Sequence, residues 1–331
     1  MEFCTCWIKG NARVVIMPVL FLLGALGLLN AQQLTPFTLY RDQWSLVNPA
    51  APSNNYILTE YPYTISASSR FQYLGLGSSW IDAPNTQVLN GEWVRDDMNS
   101  TFGGQIVSDR TGLIGNIGFY GQYAYRLRLS LREEKFLAIG LGAGMMNYYS
   151  RINGGDFPIP DPDIQPVSVW APDFNIGFFY YNEDSYYLGL SFPQLLGGRI
   201  HAGQADPASA SLLLNRPRHI YGVAGVYIPF DFFGLGDETA LLDISAWLRY
   251  VPGALPQLDG NIRYQHNQTF WVGTGVSTSG VSHVEVGFLA GKTIGLFDNQ
   301  IKISLAYDLP FFTAVSNLGS AFEASMAFSW Y

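Results

Sequence analysis

The last residues of the chain alternate strictly between apolar and polar or small side chains. The apolar row comprises Phe322, Ala324, Met326, Phe328 and Trp330. The opposite row comprises Glu323, Ser325, Ala327 and Ser329. Successive side chains of a β-strand point to opposite faces, and in a membrane β-barrel the apolar face meets lipid while the polar face meets the lumen. The pattern therefore predicts a strand that crosses a membrane and closes a barrel.

The same period of two recurs through most of the chain, and no helical period is sustained after residue 31. In the segment 242–250, Leu242 and Ile244 lie in one row, whereas Asp243 and Arg249 lie in the other. The predicted strands are 63–74, 86–95, 103–109, 114–129, 135–150, 172–181, 185–193, 218–229, 241–250, 257–266, 268–278, 282–290, 299–309 and 321–330. Single-chain bacterial barrels have an even number of strands. We predict an all-β fold, a single antiparallel transmembrane β-barrel of about 14 strands over residues 62–331.

The first 31 residues have the organisation of a secretory signal peptide. Lys9 and Arg13 precede an uncharged apolar run over residues 14–29, and Ala31 follows at a natural cleavage position. A membrane anchor is the alternative, but the run of about 16 residues is shorter than the roughly 20 that a spanning helix needs. We expect a cleaved signal peptide over 1–31, then an irregular N-terminal segment over 32–61, with three prolines and no clean period.

Composition supports a protein of the bacterial outer membrane. Charged residues make up 13% of the chain and aromatic residues 15%, whereas soluble domains contain roughly 25% charged residues. Few charges and many aromatic rings suit a surface that faces lipid between two aromatic girdles. The net charge of −8 argues against nucleic acid as a partner. Both cysteines, Cys4 and Cys6, lie in the predicted signal peptide, so we expect no disulfide.

We find no pattern that indicates catalysis, a metal ion or an organic cofactor. Lys292 and Thr293 look like the end of a phosphate-binding loop, but Val286 stands where that motif needs glycine. The four histidines have no partner at metal-ligand spacing, and the G-x-S-x-G motif of hydrolases does not occur. We expect that the protein is not an enzyme and needs no cofactor or metal.

The rows predicted to face the lumen carry charges of both signs. They include Arg126, Arg128, Arg249, Arg263, Glu285, Lys302 and Asp308, together with Asp243, Asp259 and Glu323. Mixed charges favour ion pairs that fill the barrel, whereas a lining of one sign would favour an ion-selective pore. The connections 151–171 and 195–217 are long, and long connections are normally the extracellular loops of such barrels.

Short motifs also follow one another in a characteristic order from about residue 32 to the C-terminus. Their positions include Asn48, Pro49, Ala50, Arg70, Gln72, Pro84, Thr86, Gln87, Gly104, Asp109, Gly112, Tyr181, Gly189, Pro193 and Asp259. In this order and spacing the chain resembles the PorP/SprF family of type IX secretion system membrane proteins. The resemblance implies an outer-membrane barrel of the type IX secretion and gliding machinery.

The resemblance also implies partners. These are the C-terminal domain of a secreted adhesin, type IX components in the outer membrane and periplasm, and the lipid bilayer. The motif positions would then contact a partner or a plug of the barrel. We expect the loops 151–171 and 195–217 to hold the adhesin domain. We expect the segment 47–50 around Asn48 to be ordered against the barrel, with a plain linker as the alternative.

The main alternative is a diffusion channel for small or hydrophobic solutes. A channel requires a continuous lumen past Arg126, Arg249 and Arg263, and it predicts a measurable conductance. A closed barrel favours the secretion partner.

Overall fold

The structure is a computed structural model. It describes residues 37–52, 54–74, 83–130, 134–153, 165–182, 185–202, 212–234, 240–266, 269–291, 295–296, 298–311 and 319–331. The predicted signal peptide and the first residues of the predicted N-terminal segment lie outside the described residues.

Within these residues, fourteen antiparallel strands close into one barrel. They are β1 (Tyr63–Leu74), β2 (Asn85–Arg95), β3 (Ser100–Thr111), β4 (Ile114–Ser130), β5 (Lys135–Ser150), β6 (Val167–Asn182), β7 (Tyr186–Phe192), β10 (Ile220–Pro229), β11 (Leu241–Tyr250), β12 (Gln257–His266), β13 (Phe270–Ser277), β14 (Val281–Ala290), β15 (Asn299–Pro310) and β16 (Ser320–Trp330). Each strand pairs with the next one in this order, and β16 returns to β1. The predicted fold class is confirmed.

The connection between β7 and β10 contains a separate two-stranded sheet that was not predicted. It consists of β8 (Gly198–Ala202) and β9 (Leu212–Arg216). Strands this short give too few alternations to be recognised by their period. The preceding long connection is also shorter than predicted, because β6 already begins at Val167. Pro172 obscured this beginning, since proline in a run normally argues against a strand; here it pairs with Met145.

The apolar row of β16 faces outward and its polar row faces the lumen. Met326 is 52% exposed, whereas Glu323 is fully buried. The barrel closes with Tyr63 opposite Trp330, and the ring of Tyr63 stacks on Trp330 and on Trp93 with centroids 5.5 and 5.9 Å apart. Such aromatic rings form the girdle at a membrane interface.

A folded N-terminal segment lies inside the barrel. Its described part, residues 37–52 and 54–61, contains a 3-10 turn (Tyr40–Asp42) and the short helices α1 (Trp44–Val47) and α2 (Asn54–Thr59). Its largest fully buried side chains are Leu39, Tyr40, Arg41, Gln43 and Trp44. We call this segment the plug. No helix among the described residues is long and apolar enough to cross a bilayer.

The plug runs through the lumen from one rim of the barrel to the other. The barrel begins at Tyr63 and ends at Trp330 on one rim, which we call the periplasmic rim because the longest connections, 151–166 and 193–219, lie on the opposite, outer rim. Phe37 lines cavities near Thr111, at the outer end of β3. Tyr61 contacts Tyr331 at the periplasmic rim, with ring centroids 4.9 Å apart.

Candidate functional site: the plug and the lumen

Arg41 of the plug forms the centre of a buried ion-pair network. Its guanidinium donates to Asp243 at 3.1 Å and also to Glu285. Glu285 accepts two further bonds from Arg263, at 3.1 and 2.9 Å. A buried charge is tolerated only when it is paired and hydrogen-bonded. Strands β11, β12 and β14 therefore hold the plug by charge.

Asp42 extends this network to β15. It accepts hydrogen bonds from Lys302 and from Ser304, both at 2.6 Å, and lies 3.7 Å from Arg263. Burial alone would raise the pKa of Asp42, but the neighbouring Lys302 and Arg263 outweigh it and lower the pKa to about 2. Asp42 is therefore an anion inside the lumen at neutral pH.

A second ion-pair cluster joins the seam of the barrel to the start of the plug. Arg70 of β1 pairs with Asp308 of β15 at 2.5 Å and with Glu323 of β16 at 3.1 Å. The Thr38 hydroxyl donates to Asp308 at 2.7 Å, and its backbone N–H donates to Glu323 at 2.8 Å. The strands that close the barrel are therefore tied to each other and to the plug by the same carboxylates.

The opposite wall holds the plug without charges. The Asn48 side-chain amide donates to the carbonyl oxygens of Phe178 and Leu190, at 3.0 and 3.4 Å. Its own oxygen accepts from the Ala50 backbone N–H at 2.9 Å, which fixes a local turn of the kind that asparagine favours. The Ser191 hydroxyl donates to the carbonyl of the plug residue Val47 at 2.5 Å. The segment around Asn48 is therefore ordered against the barrel, not a plain linker.

Glycines on this wall allow the plug to come close. A Cβ atom on Gly140 would overlap backbone atoms of Pro49 and Ala50, and one on Gly177 would overlap the Asn48 side chain. At Gly189 it would lie 2.9 Å from the Asn48 nitrogen. Only glycine permits such a close approach of two backbones. Strands β5, β6 and β7 thus form a glycine-lined dock for residues 48–50.

Aromatic side chains fill the space between the charged wall and this dock. The Trp44 ring contacts Tyr187 and Phe179, with centroids 5.1 and 5.5 Å apart. Tyr40 packs on Trp247 at 5.1 Å. Aromatic pairs of this kind contribute about 0.5–1.5 kcal/mol each beyond the area that they bury. The sequence predictions missed Arg41, Asp42 and Trp44, because the plug has no hydrophobic period.

The motif positions fall into separate groups. Asn48, Pro49, Ala50 and Gly189 meet at the dock, and the Tyr181 ring packs on Phe179 beneath Trp44, with centroids 5.8 Å apart. Elsewhere, Thr86 donates to Asp109 at 2.7 Å near the outer rim. Pro84 precedes β2, Gln87 lies on the exposed row of β2, Pro193 is buried just after β7, and Asp259 lies on β12. The structure therefore does not join all these positions into one site.

The charged residues that were predicted to face the lumen also fall into separate groups in the structure. Arg263, Glu285, Lys302 and Asp308 belong to the networks around the plug. Arg249 pairs with Asp259 at 2.6 Å nearer the outer rim.

Two arginines near the periplasmic rim differ from each other. Arg126 is buried and binds Asp96 at 2.6 Å and the plug residue Tyr56 at 2.9 Å. The side chain of Arg128 is 42% exposed and lies 3.9 Å from Glu134. Arg128 therefore takes no part in the buried lumen network.

Two cavities lie on the outer side of the plug and share Phe37, Asp109 and Thr111 in their linings. The first is about 590 Å³ and is lined by more polar than apolar residues; we call it the polar cavity. Its lining includes Arg70, Gln72, Arg249, Asp259, Asn261, Ser277, His283 and Asp308. The second is about 320 Å³ and mostly apolar; we call it the apolar cavity. Its lining includes Leu46, Val47, Val107, Ile114, Met146, Tyr221 and Trp247.

Comparison with known families gives one match that spans the barrel. The family described as type IX secretion system membrane protein PorP/SprF matches residues 29–328. The chain belongs to the PorP/SprF family. This membership and the closed barrel place the protein in the outer membrane, among the components of type IX secretion. A search of curated proteins found no match to the chain.

Several solved structures are similar to this PorP/SprF member. A FadL homologue of Pseudomonas aeruginosa is 12% identical with a TM-score of 0.49, covering 87% of this chain and 94% of that one. The toluene transporter TbuX of Ralstonia pickettii is also 12% identical, with a TM-score of 0.47 and coverages of 88% and 94%. The KdgM porin is 7% identical, with a TM-score of 0.38 and coverages of 81% and 99%. At such identities the similarity concerns only the fold.

Proposed function

We propose that this PorP/SprF protein binds secreted surface proteins such as adhesins and anchors them at the outer membrane. The partner's C-terminal domain docks at the outer rim, where the long loops and the two cavities lie. In this proposal the barrel is a binding component of the type IX secretion and gliding machinery and has no catalytic role.

The plug is the observation that supports a binding role most strongly. It passes through the lumen from the outer to the periplasmic rim, and its central side chains are fully buried among paired charges and aromatic rings. To clear a path for solutes, the barrel would have to break buried ion pairs, and separating such a pair is costly. The cavities described above end on the plug, as expected for a receptor that opens to the outside.

Capture of a C-terminal domain by the full-length barrel in detergent tests this proposal. The test variant has residues 152–165 and 195–217 each replaced by a short turn, and the control has residues 231–239 at the periplasmic rim shortened in the same way. We expect the wild type and the control to retain the domain and the test variant to lose it. Equal capture by all three barrels would refute docking at the outer rim.

Current measurements in planar bilayers separate this role from a diffusion channel. We expect little conductance from the wild type and a clear increase from a variant that lacks residues 37–61. A wild-type barrel that conducts as well as this variant would support the channel instead.

A further inference from the structure

The polar cavity contains a cluster of buried polar atoms without hydrogen-bond partners among the described residues. They are Nε and Nη1 of Arg249, Oδ1 of Asp259, Oδ1 of Asn261 and Nε2 of His283. All four residues line the cavity and are at least nine-tenths buried, and the side chain of Asp259 is 13% exposed. Native structures leave few buried polar groups unpaired, so each such group calls for an explanation.

The four side chains form one continuous patch on the wall. Arg249 lies on β11 and donates to Asp259 of β12 at 2.6 Å, which leaves the other carboxylate oxygen of Asp259 free. Asn261 of β12 and His283 of β14 lie over Gly275 of the intervening β13, where a Cβ atom would overlap both. The wall is therefore shaped so that these donors and acceptors converge.

The chemistry of the patch defines what would bind it. Arg249 needs acceptors, whereas the oxygens of Asp259 and Asn261 need donors. The cavity lining contains two arginines and three aspartates, so it does not attract a strongly anionic ligand. Peptide groups carry one donor and one acceptor per residue and are uncharged. A polypeptide backbone therefore matches the patch.

The neighbouring apolar cavity offers a place for an apolar side chain of a bound polypeptide. It adjoins the polar cavity at Phe37, Asp109 and Thr111, and it offers Val107, Met146 and other apolar side chains. Both cavities have volumes in the range of roughly 300–1,000 Å³ that is common for ligand pockets. A polypeptide supplies apolar side chains as well as backbone polar groups, so a single segment can occupy both cavities.

We propose that the two cavities together receive an uncharged, extended segment of the secreted partner. Arg249, Asp259, Asn261 and His283 bind its backbone, and the apolar cavity binds one of its apolar side chains. This inference rests on the proposed function, since the segment belongs to the captured C-terminal domain.

Matched substitutions in each cavity test the inference by the affinity of the full-length barrel for the C-terminal domain. Asn261→Leu removes polar groups from the patch, and Ile262→Leu changes the adjacent lipid-facing residue as a control. Val107→Phe fills the apolar cavity, and Ile106→Phe is its lipid-facing control. We expect each cavity variant to bind about tenfold more weakly and both controls to bind like the wild type.

A cross-link measures occupancy of the cavity independently of the affinity. Asn261→Cys carrying a benzophenone maleimide should cross-link to the bound domain, whereas Leu258→Cys on the lipid face of the same strand should not. Loss of the Cys4 and Cys6 thiols with the predicted signal peptide would leave each variant with a single thiol. Heat-modifiable mobility in electrophoresis verifies that every barrel is folded.

The outcomes distinguish this inference from the proposed function. Failure of the wild type to capture any C-terminal domain would refute the proposed function. Normal capture with no cross-link at residue 261 and no loss of affinity in Asn261→Leu or Val107→Phe would refute only the inference. Protection of the thiol at residue 261 by maltoheptaose, and not by the C-terminal domain, would indicate a saccharide site and overturn it as well.

Discussion

The two walls of the lumen hold the same plug by different physical means. On one wall, Arg41 and Asp42 pair with Asp243, Glu285 and Lys302. On the other, residues 48–50 pack on glycines, and Asn48 donates hydrogen bonds to backbone carbonyls. At the charged wall, binding of the plug depends on the chemical identity of the side chains. At the glycine wall, it depends on the absence of side chains.

This difference shows how a short segment can be held inside a barrel. Isolated helices as short as α1 and α2 are not stable in water, so the barrel wall must supply the stabilisation. Paired charges fix the position of the plug along the lumen, and the glycine dock fixes its distance from the wall. The following variants test the two walls separately, in order of decreasing expected effect.

The largest effect is expected at the charged wall. Glu285→Gln removes the carboxylate that pairs with both Arg41 and Arg263. Breaking a buried pair leaves an uncompensated charge, which typically costs about 3–5 kcal/mol. We expect the free energy of unfolding, measured by urea titration in vesicles, to fall by about that amount. Glu134→Gln, at an exposed ion pair, is the control, and an equal loss there would contradict the distinction.

Acid should weaken the charged wall through Asp42. Its pKa is about 2 in the folded barrel, against a reference value of 3.8. A lowered pKa stabilises the fold fully above the unfolded value, and the stabilisation disappears as the pH falls from about 4 to about 2. The difference in unfolding free energy between wild type and Asp42→Asn should shrink by about 2 kcal/mol over this window. A constant difference would show that Asp42 is not held as an anion.

A single methyl group should disturb the glycine wall. Gly140→Ala places a Cβ against the backbone of Pro49 and Ala50, whereas Gly121→Ala on β4 meets nothing within 4 Å. Overpacking of this kind costs about 1–3 kcal/mol. We expect limited proteolysis to cleave near Asn48 faster in Gly140→Ala and at the wild-type rate in Gly121→Ala. Equal resistance of both variants would mean that the dock has spare room.

The smallest effect is expected at the edge of the lumen. Arg128→Gln should change the unfolding free energy by less than about 0.5 kcal/mol, because exposed ion pairs contribute little. Arg126→Gln on the same row should cost several times more, since Arg126 is buried and binds both Asp96 and the plug residue Tyr56. Similar losses in the two variants would place Arg128 inside the network after all.

Alternation along the chain determined the strands, their inward and outward rows and the closed barrel. This was possible because side-chain direction in a strand depends only on local geometry, which repeats every two residues. Composition indicated a protein of the outer membrane, and the order of the motifs indicated its family. The pairing of the last strand with the strand that begins near Tyr63 also follows from the order of the strands, since the last strand must meet the first to close the barrel.

Only the tertiary structure decided how the lumen is filled. Arg126 and Arg128 share a row, but two residues along a strand amount to roughly 7 Å, enough to move Arg128 out of the network. Arg41 and Glu285 are separated by most of the chain length. The plug has no hydrophobic period from which their contact could be predicted. Local sequence thus set which face each wall residue presents, whereas the pairing of plug and wall depends on distances that arise only once the barrel has closed.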